Sequence, residues 1–209
     1  MPIMNPTNKT VALFFGTFNP IHIGHLIIAD YVAQNQELDQ VWLVVSPHNP
    51  LKKRENLLED HHRLRLVREA IYDNPRLQAS SIEFDLPKPS YTIDTLTYLS
   101  EKYPNYRFRL IIGEDNMRNL SKWKNYKQLL NQYGLIVYPR NQLPEEKISL
   151  PNEDLQWRDY PNITLCKDVP LMDISASFIR RQIKEGKSVE YLLSSPVAKY
   201  IREMHFYEK

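Results

Sequence analysis

The chain has 209 residues, enough for one domain with a sizeable core, and its formal charge of +2 with 25% charged residues excludes a basic nucleic-acid coat and a disordered chain. Its one cysteine, Cys166, excludes an intrachain disulfide framework and a cysteine-built zinc centre; an inert buried thiol in a reducing compartment is expected. No apolar run approaches the roughly 18 residues that span a bilayer, and MPIMNPTNKT lacks the regions of a secretory leader, so a cytoplasmic protein without membrane contact is expected.

Residues 11–15 (VALFF) and 41–45 (VWLVV) are short apolar runs of the kind that form buried strands. Between them, apolar residues at helical spacing from Leu26 to Val32 predict a crossover helix and so a right-handed βαβ unit. A helix over 60–72 follows, with Leu64, Val67 and Ile71 on one face, stopped by Asn74-Pro75. Helices over 92–102 and 126–132, strands over 106–113, 134–138 and 163–166, an irregular stretch over 141–162 and C-terminal helices over 175–184 and 196–204 complete the pattern. Alternating strands and helices predict an α/β fold: an open, mainly parallel sheet with helices on both faces and a small C-terminal helical segment, 175–209, on a single domain spanning 1–209.

Glycine is scarce, with five residues, so each position carries information. Gly134 and Gly186 follow helical stretches, where a left-handed residue is expected. Gly16, Gly24 and Gly113 stand at strand ends or a helix start, where a ligand needs close backbone approach.

GTFNPIHIGH (16–25) occupies the turn from the first strand into the first helix, the edge at which open α/β sheets bind ligands. With a helix start near 21–23, His22 and His25 share one face of its first turn, where helix amides and imidazole N–H groups suit a phosphate. Gly24 keeps the space between them free of a side chain. No dinucleotide fingerprint or P-loop is present. A metal reading finds no third ligand at conventional spacing; His61 and His62, adjacent on the next helix, are expected to diverge. Arg63, Arg65 and Arg68 form no continuous face and acids interrupt them, so no nucleic-acid partner is expected.

GTFNPIHIGH resembles the G-x-F-[DN]-P-x-H-x-G-H signature of the nucleotidylyltransferase superfamily, and ISASFIR (174–180) is similar to its I-S-[AS]-[ST]-x-[IL]-R element. Within that superfamily, PSYT (89–92), IIGEDNMRNLSKW (111–123) and the Pro-Lys segment 47–53 are similar to bacterial nicotinate mononucleotide adenylyltransferases. The resemblance covers about 11–207 and implies a Rossmann-like fold and transfer of adenylyl from ATP to nicotinate mononucleotide, making deamido-NAD and pyrophosphate for NAD biosynthesis. It implies that His22, His25, Arg180 and Lys53 act on the phosphates, with Lys52 the alternative to Lys53. Gly16, Thr17, Phe18, Gly24, Gly113, Asp115, Ser175 and Ser177 would line the ATP site; Thr92 and Trp123 would hold the nicotinate group, Trp123 by stacking. Mg²⁺ is expected mainly on ATP phosphates and water, with no protein metal ligands.

Three departures stand out: Phe15-Gly16 replaces the frequent Gly-Gly, Asn19 replaces the usual Asp, and SPHNPLKK (46–53) replaces P-x-x-x-P-P-H-K. An acceptor attacking as a phosphate anion needs no protein nucleophile, so alignment and charge neutralisation would carry catalysis. The rivals are another acceptor, such as nicotinamide mononucleotide or a phosphopantetheine, and a silent nucleotide sensor. Self-association is left open.

Overall fold

The computed structural model describes residues 8–47, 57–139 and 160–209. Among them, six strands form one parallel sheet: β1 (Lys9–Gly16), β2 (Gln40–Val45), β3 (Leu77–Ser80), β4 (Tyr106–Gly113), β5 (Gly134–Tyr138) and β6 (Ile163–Leu165). The spatial order is β3-β2-β1-β4-β5-β6, so chain order reverses between β1 and β4. Connections from those two strands leave in opposite directions and open a crevice at their carboxyl ends.

The helices are α1 (Ile23–Asn35), α2 (Asp60–Ile71), α3 (Thr92–Lys102), α4 (Glu114–Arg118), α5 (Tyr126–Gln132), α6 (Ala176–Lys184) and α7 (Ser195–Glu203). Strand alternation sorts them to two faces. Ala12 and Phe14 join a core with Ala29 and Val32 of α1, Leu66 and Val67 of α2, Ile179 of α6 and Val197 and Ile201 of α7. Val11 and Leu13 point oppositely, onto Ile93, Leu96 and Leu99 of α3 and Leu129 of α5. Leu110 and Ile112 of β4 meet Met117 and Leu120 in a third cluster. Fully burying one such side chain is worth roughly 1.5–3 kcal/mol, so these clusters set which face each helix covers.

The expected strands and longer helices are present. Two elements carry too little pattern to be read from sequence. β3 is a four-residue edge strand, LQAS, paired only with β2, and α4 is a five-residue turn.

Gly186 has the expected left-handed φ of 68°, but Gly134 does not; it opens β5, paired with Arg109. A Cβ at Gly134 would lie 2.8 Å from Arg109 Nε and 3.2 Å from the Asn162 carbonyl oxygen, so close approach, not a helix cap, requires glycine there. That guanidinium donates to the carbonyl of Leu135 and to Thr164 Oγ1, bracing the β4–β5–β6 side of the sheet.

Candidate active site

The turn after β1 is built around Phe18. Its ring is 1% exposed and its φ is +44°, a conformation costing roughly 1–2 kcal/mol in a non-glycine residue. Burial of the ring offsets that strain, and Gly16 makes room for it, since a Cβ there would lie 2.8 Å from the Phe18 ring. Phe18 in turn meets His25 edge to face at 5.1 Å between ring centroids.

His22 caps α1 and its ring stacks on His25 with centroids 3.7 Å apart, so the two imidazoles form one surface. The backbone N–H of His22 donates to His25 Nδ1 at 3.3 Å. A neutral imidazole accepting at Nδ1 carries its proton on Nε2, and His25 therefore presents a donor there. A Cβ at Gly24 would stand 3.2 Å from the His22 ring, so glycine leaves that ring its place, and Ile174 of the segment leading into α6 lies at van der Waals distance on the same side.

That segment brings in the second motif. Ser175 caps α6, accepting from the Phe178 amide at 3.2 Å. Arg180 donates to Ser177 Oγ at 3.2 Å and to the Asn19 carbonyl at 2.7 Å, joining motifs 161 positions apart. Asn19 is buried, and its Oδ1 accepts from the Leu58 amide at 3.2 Å and from the Tyr207 hydroxyl at 2.7 Å. Both are hydrogen-bond donors, which an uncharged amide oxygen satisfies.

Arg63 organises the same edge. Its side chain is 0% exposed. Nη1 donates to the carbonyls of Thr17 at 2.7 Å and Ser46 at 2.8 Å, and Nε to Leu58 at 2.9 Å. Nη2 meets Asp60 Oδ1 at 2.5 Å and the Pro47 carbonyl at 3.4 Å. Burial lowers its pKa and Asp60 opposes that shift. Only a planar five-donor group could bind the ends of β1 and β2 and the start of α2 together. In the sequence Arg63 reads as one residue of a basic cluster; burial gives it a structural role instead.

Across the crevice, Gly113 ends β4 and caps α4, and Asp115 lies in the first turn of that helix, exposed. Thr92 begins α3, so its amide is one of the four without an intrahelical acceptor. Trp123 follows a short turn and is half-buried between the second and third core clusters, which leaves part of its ring accessible. Lys124 Nζ pairs with Asp94 of α3 at 2.8 Å and lies 4.9 Å from the Tyr91 ring centroid, tying the Trp123 segment to the start of α3. Beneath them Glu83, 2% exposed, accepts from Thr95 Oγ1 at 2.8 Å, and Ser46 and Ser90 also favour its charged form. Burial raises its pKa all the same. Lys124, Asp94 and Glu83 carry no motif signal; their roles exist only through contacts made in the fold.

The structure thus brings His22, His25, Ser177 and Arg180 to one edge, with Gly16, Thr17, Phe18 and Gly24 shaping it. Lys53, Lys52 and most of the Pro-Lys segment lie outside the described residues. His61 and His62 do not diverge: their ring centroids are 3.9 Å apart, and with Glu59 they set three donor atoms within 4.8 Å of one another. His62 is drawn to the Tyr200 hydroxyl at 2.9 Å and His61 to Glu59 at 3.3 Å, contacts that override helical spacing. Cys166 is buried, and burial pushes its thiol up to about 11. Among the described residues, no helix is long and apolar enough to cross a membrane.

The cytidylyltransferase-like family model matches residues 13–182. Proteins named probable nicotinate-nucleotide adenylyltransferase are 49% identical in Flavobacterium psychrophilum, covering 95% of this chain and 99% of that one, and 49% identical in Cytophaga hutchinsonii, covering 94% and 97%. The fold is shared with Plasmodium falciparum nicotinic acid mononucleotide adenylyltransferase complexed with NaAD, at a TM-score of 0.78 and 20% identity over 96% of this chain and 98% of that one.

Proposed function

Since the chain belongs to the cytidylyltransferase-like family and, within it, to the bacterial nicotinate-nucleotide adenylyltransferases, nucleotidyltransferases of NAD biosynthesis, we propose a direct in-line transfer at the β1–α1 edge. A phosphate oxygen of nicotinate mononucleotide attacks the α-phosphorus of ATP. The new P–O–P linkage forms as the bond to the β-phosphate oxygen breaks, and pyrophosphate leaves with that electron pair.

One observation carries this reading: Arg180 reaches the Asn19 carbonyl at 2.7 Å, beside the stacked His22 and His25. A guanidinium, an Nε2–H donor and the positive start of α1 converge where developing phosphate charge needs donors. The β1–α1 edge offers nitrogen donors and a cation in His22, His25 and Arg180, which suits phosphate oxygens. Mg²⁺ therefore fits as a companion of ATP, held by phosphates and water, and supplies charge neutralisation. Lys53, or Lys52 in its place, is the further cation that the family resemblance assigns to the phosphates. Cys166 stays a protonated, buried thiol at neutral pH and takes no part as a nucleophile.

On the acceptor side, Thr92 offers its helix-start amide to the nicotinate carboxylate, and Trp123 its ring face to the pyridine. The reaction is cytoplasmic and needs no nucleic acid. The test is deamido-NAD and pyrophosphate formation from ATP with nicotinate mononucleotide, compared with nicotinamide mononucleotide in one preparation. Preference for the amide would overturn the role given to Thr92, and no product from either would overturn the function.

A further inference from the structure

We propose that Tyr207, at the far end of the chain, is a positioning residue for the ATP-phosphate site, holding Asn19 and through it Arg180. This rests on the adenylyl-transfer reading above. The Tyr207 hydroxyl donates to Asn19 Oδ1 at 2.7 Å across 188 positions, and the Asn19 carbonyl accepts from Arg180 at 2.7 Å. One residue of the first motif is thus gripped from both sides, by the tail through its side chain and by α6 through its backbone.

The tail is built to make this contact. After α7 the chain turns back through His205 at φ 53° and Tyr207 at φ 68°, conformations disfavoured in non-glycine residues. Phe206 between them is anchored edge to face on His62 at 4.8 Å and on Tyr200 at 5.7 Å. A strained backbone held by a packed ring delivers the phenol to one place. Burial raises the phenol's pKa, so it remains a hydroxyl donor at physiological pH, with Arg180 and Arg63 nearby opposing that shift. The same Asn19 Oδ1 takes the Leu58 amide, so the tail also bears on the entry to α2. A tail that only closed the hydrophobic core would need Phe206 but no hydroxyl at 207.

The test is steady-state kinetics of Tyr207→Phe in the full chain. The expected result is a five- to twentyfold fall in kcat/KM for ATP, less than a twofold change in KM for nicotinate mononucleotide, and a cooperative thermal transition. In an Arg180→Ala background the same substitution should change ATP kinetics less than twofold, because the groups act as one unit. Asn19→Ala, which removes the acceptor end of the bond, should give the same ATP-selective loss.

Wild-type ATP constants in Tyr207→Phe, equal losses for both substrates, an undiminished effect in the Arg180→Ala background, or a Tyr207→Phe chain that does not fold would each overturn the inference. Wild-type protein that forms no dinucleotide overturns the functional reading and this inference with it. Wild-type turnover beside an unaltered Tyr207→Phe overturns this inference alone.

Discussion

Replacing Arg63 by Met keeps much of the buried aliphatic volume and removes every donor. The carbonyls of Thr17, Ser46 and Leu58, bonded at 2.7, 2.8 and 2.9 Å, then lose those bonds inside the fold. Pro47 at 3.4 Å adds little, and Asp60, one-third exposed, recovers part of its loss from water. Each orphaned carbonyl costs about 1–3 kcal/mol where water cannot reach it. Partial relaxation brings the total near the value for breaking a buried charged pair, about 3–5 kcal/mol. At roughly 2–4 °C per kcal/mol for a chain of this size, Tm should fall by roughly 6–20 °C. Arg63→Lys retains the charge but not the planar fork, and should lose about half as much. Calorimetry or urea unfolding reads the loss. ATP kinetics on the folded fraction reads the second consequence, a raised KM for ATP as the Thr17 turn loosens. A loss under about 1 kcal/mol in Arg63→Met would refute the hub, because the stated orphan cost could not then apply.

His25→Ala should lower kcat by roughly a hundredfold to a thousandfold, the usual cost of one preorganised donor, with the melting curve little changed; near-normal turnover would refute its role. Lys124→Ala should raise KM for nicotinate mononucleotide several-fold and leave KM for ATP unchanged, since Lys124 ties the Trp123 segment to Asp94 at the start of α3; a loss confined to ATP would refute the link. Glu83 has a folded-state pKa above the ordinary 4.5, so its contribution to stability is fully present below pH 4.5 and is lost as pH rises through the raised value. Glu83→Gln should remove that decline in urea titrations across pH. An unchanged pH slope would refute the assignment.

By itself the sequence determined the chemistry that local pattern encodes. The apolar runs at 11–15 and 41–45, with helical spacing between them, predict a βαβ unit, and GTFNPIHIGH falls at its first turn, so the place of this motif in the fold was legible from strand, turn and helix signals alone. ISASFIR showed its cap, Ser175, for the same reason, since a helix start is written in neighbouring residues. What only the tertiary structure decided is everything that depends on contacts between distant segments. Arg63 lies in a run of charged residues, and nothing in that run shows it at 0% exposure among the carbonyls of β1, β2 and the approach to α2. Gly134 has the local setting of a helix cap, yet the guanidinium of Arg109 on the next strand requires it. β3 carries no apolar signal because an edge strand paired on one side buries little. Asn19 in the sequence is a departure from a family pattern; in the fold it is the acceptor for a tyrosine 188 positions away. Helical and strand periods are set by the backbone within a few residues, whereas a long-range hydrogen bond depends on where the whole sheet brings two ends of the chain.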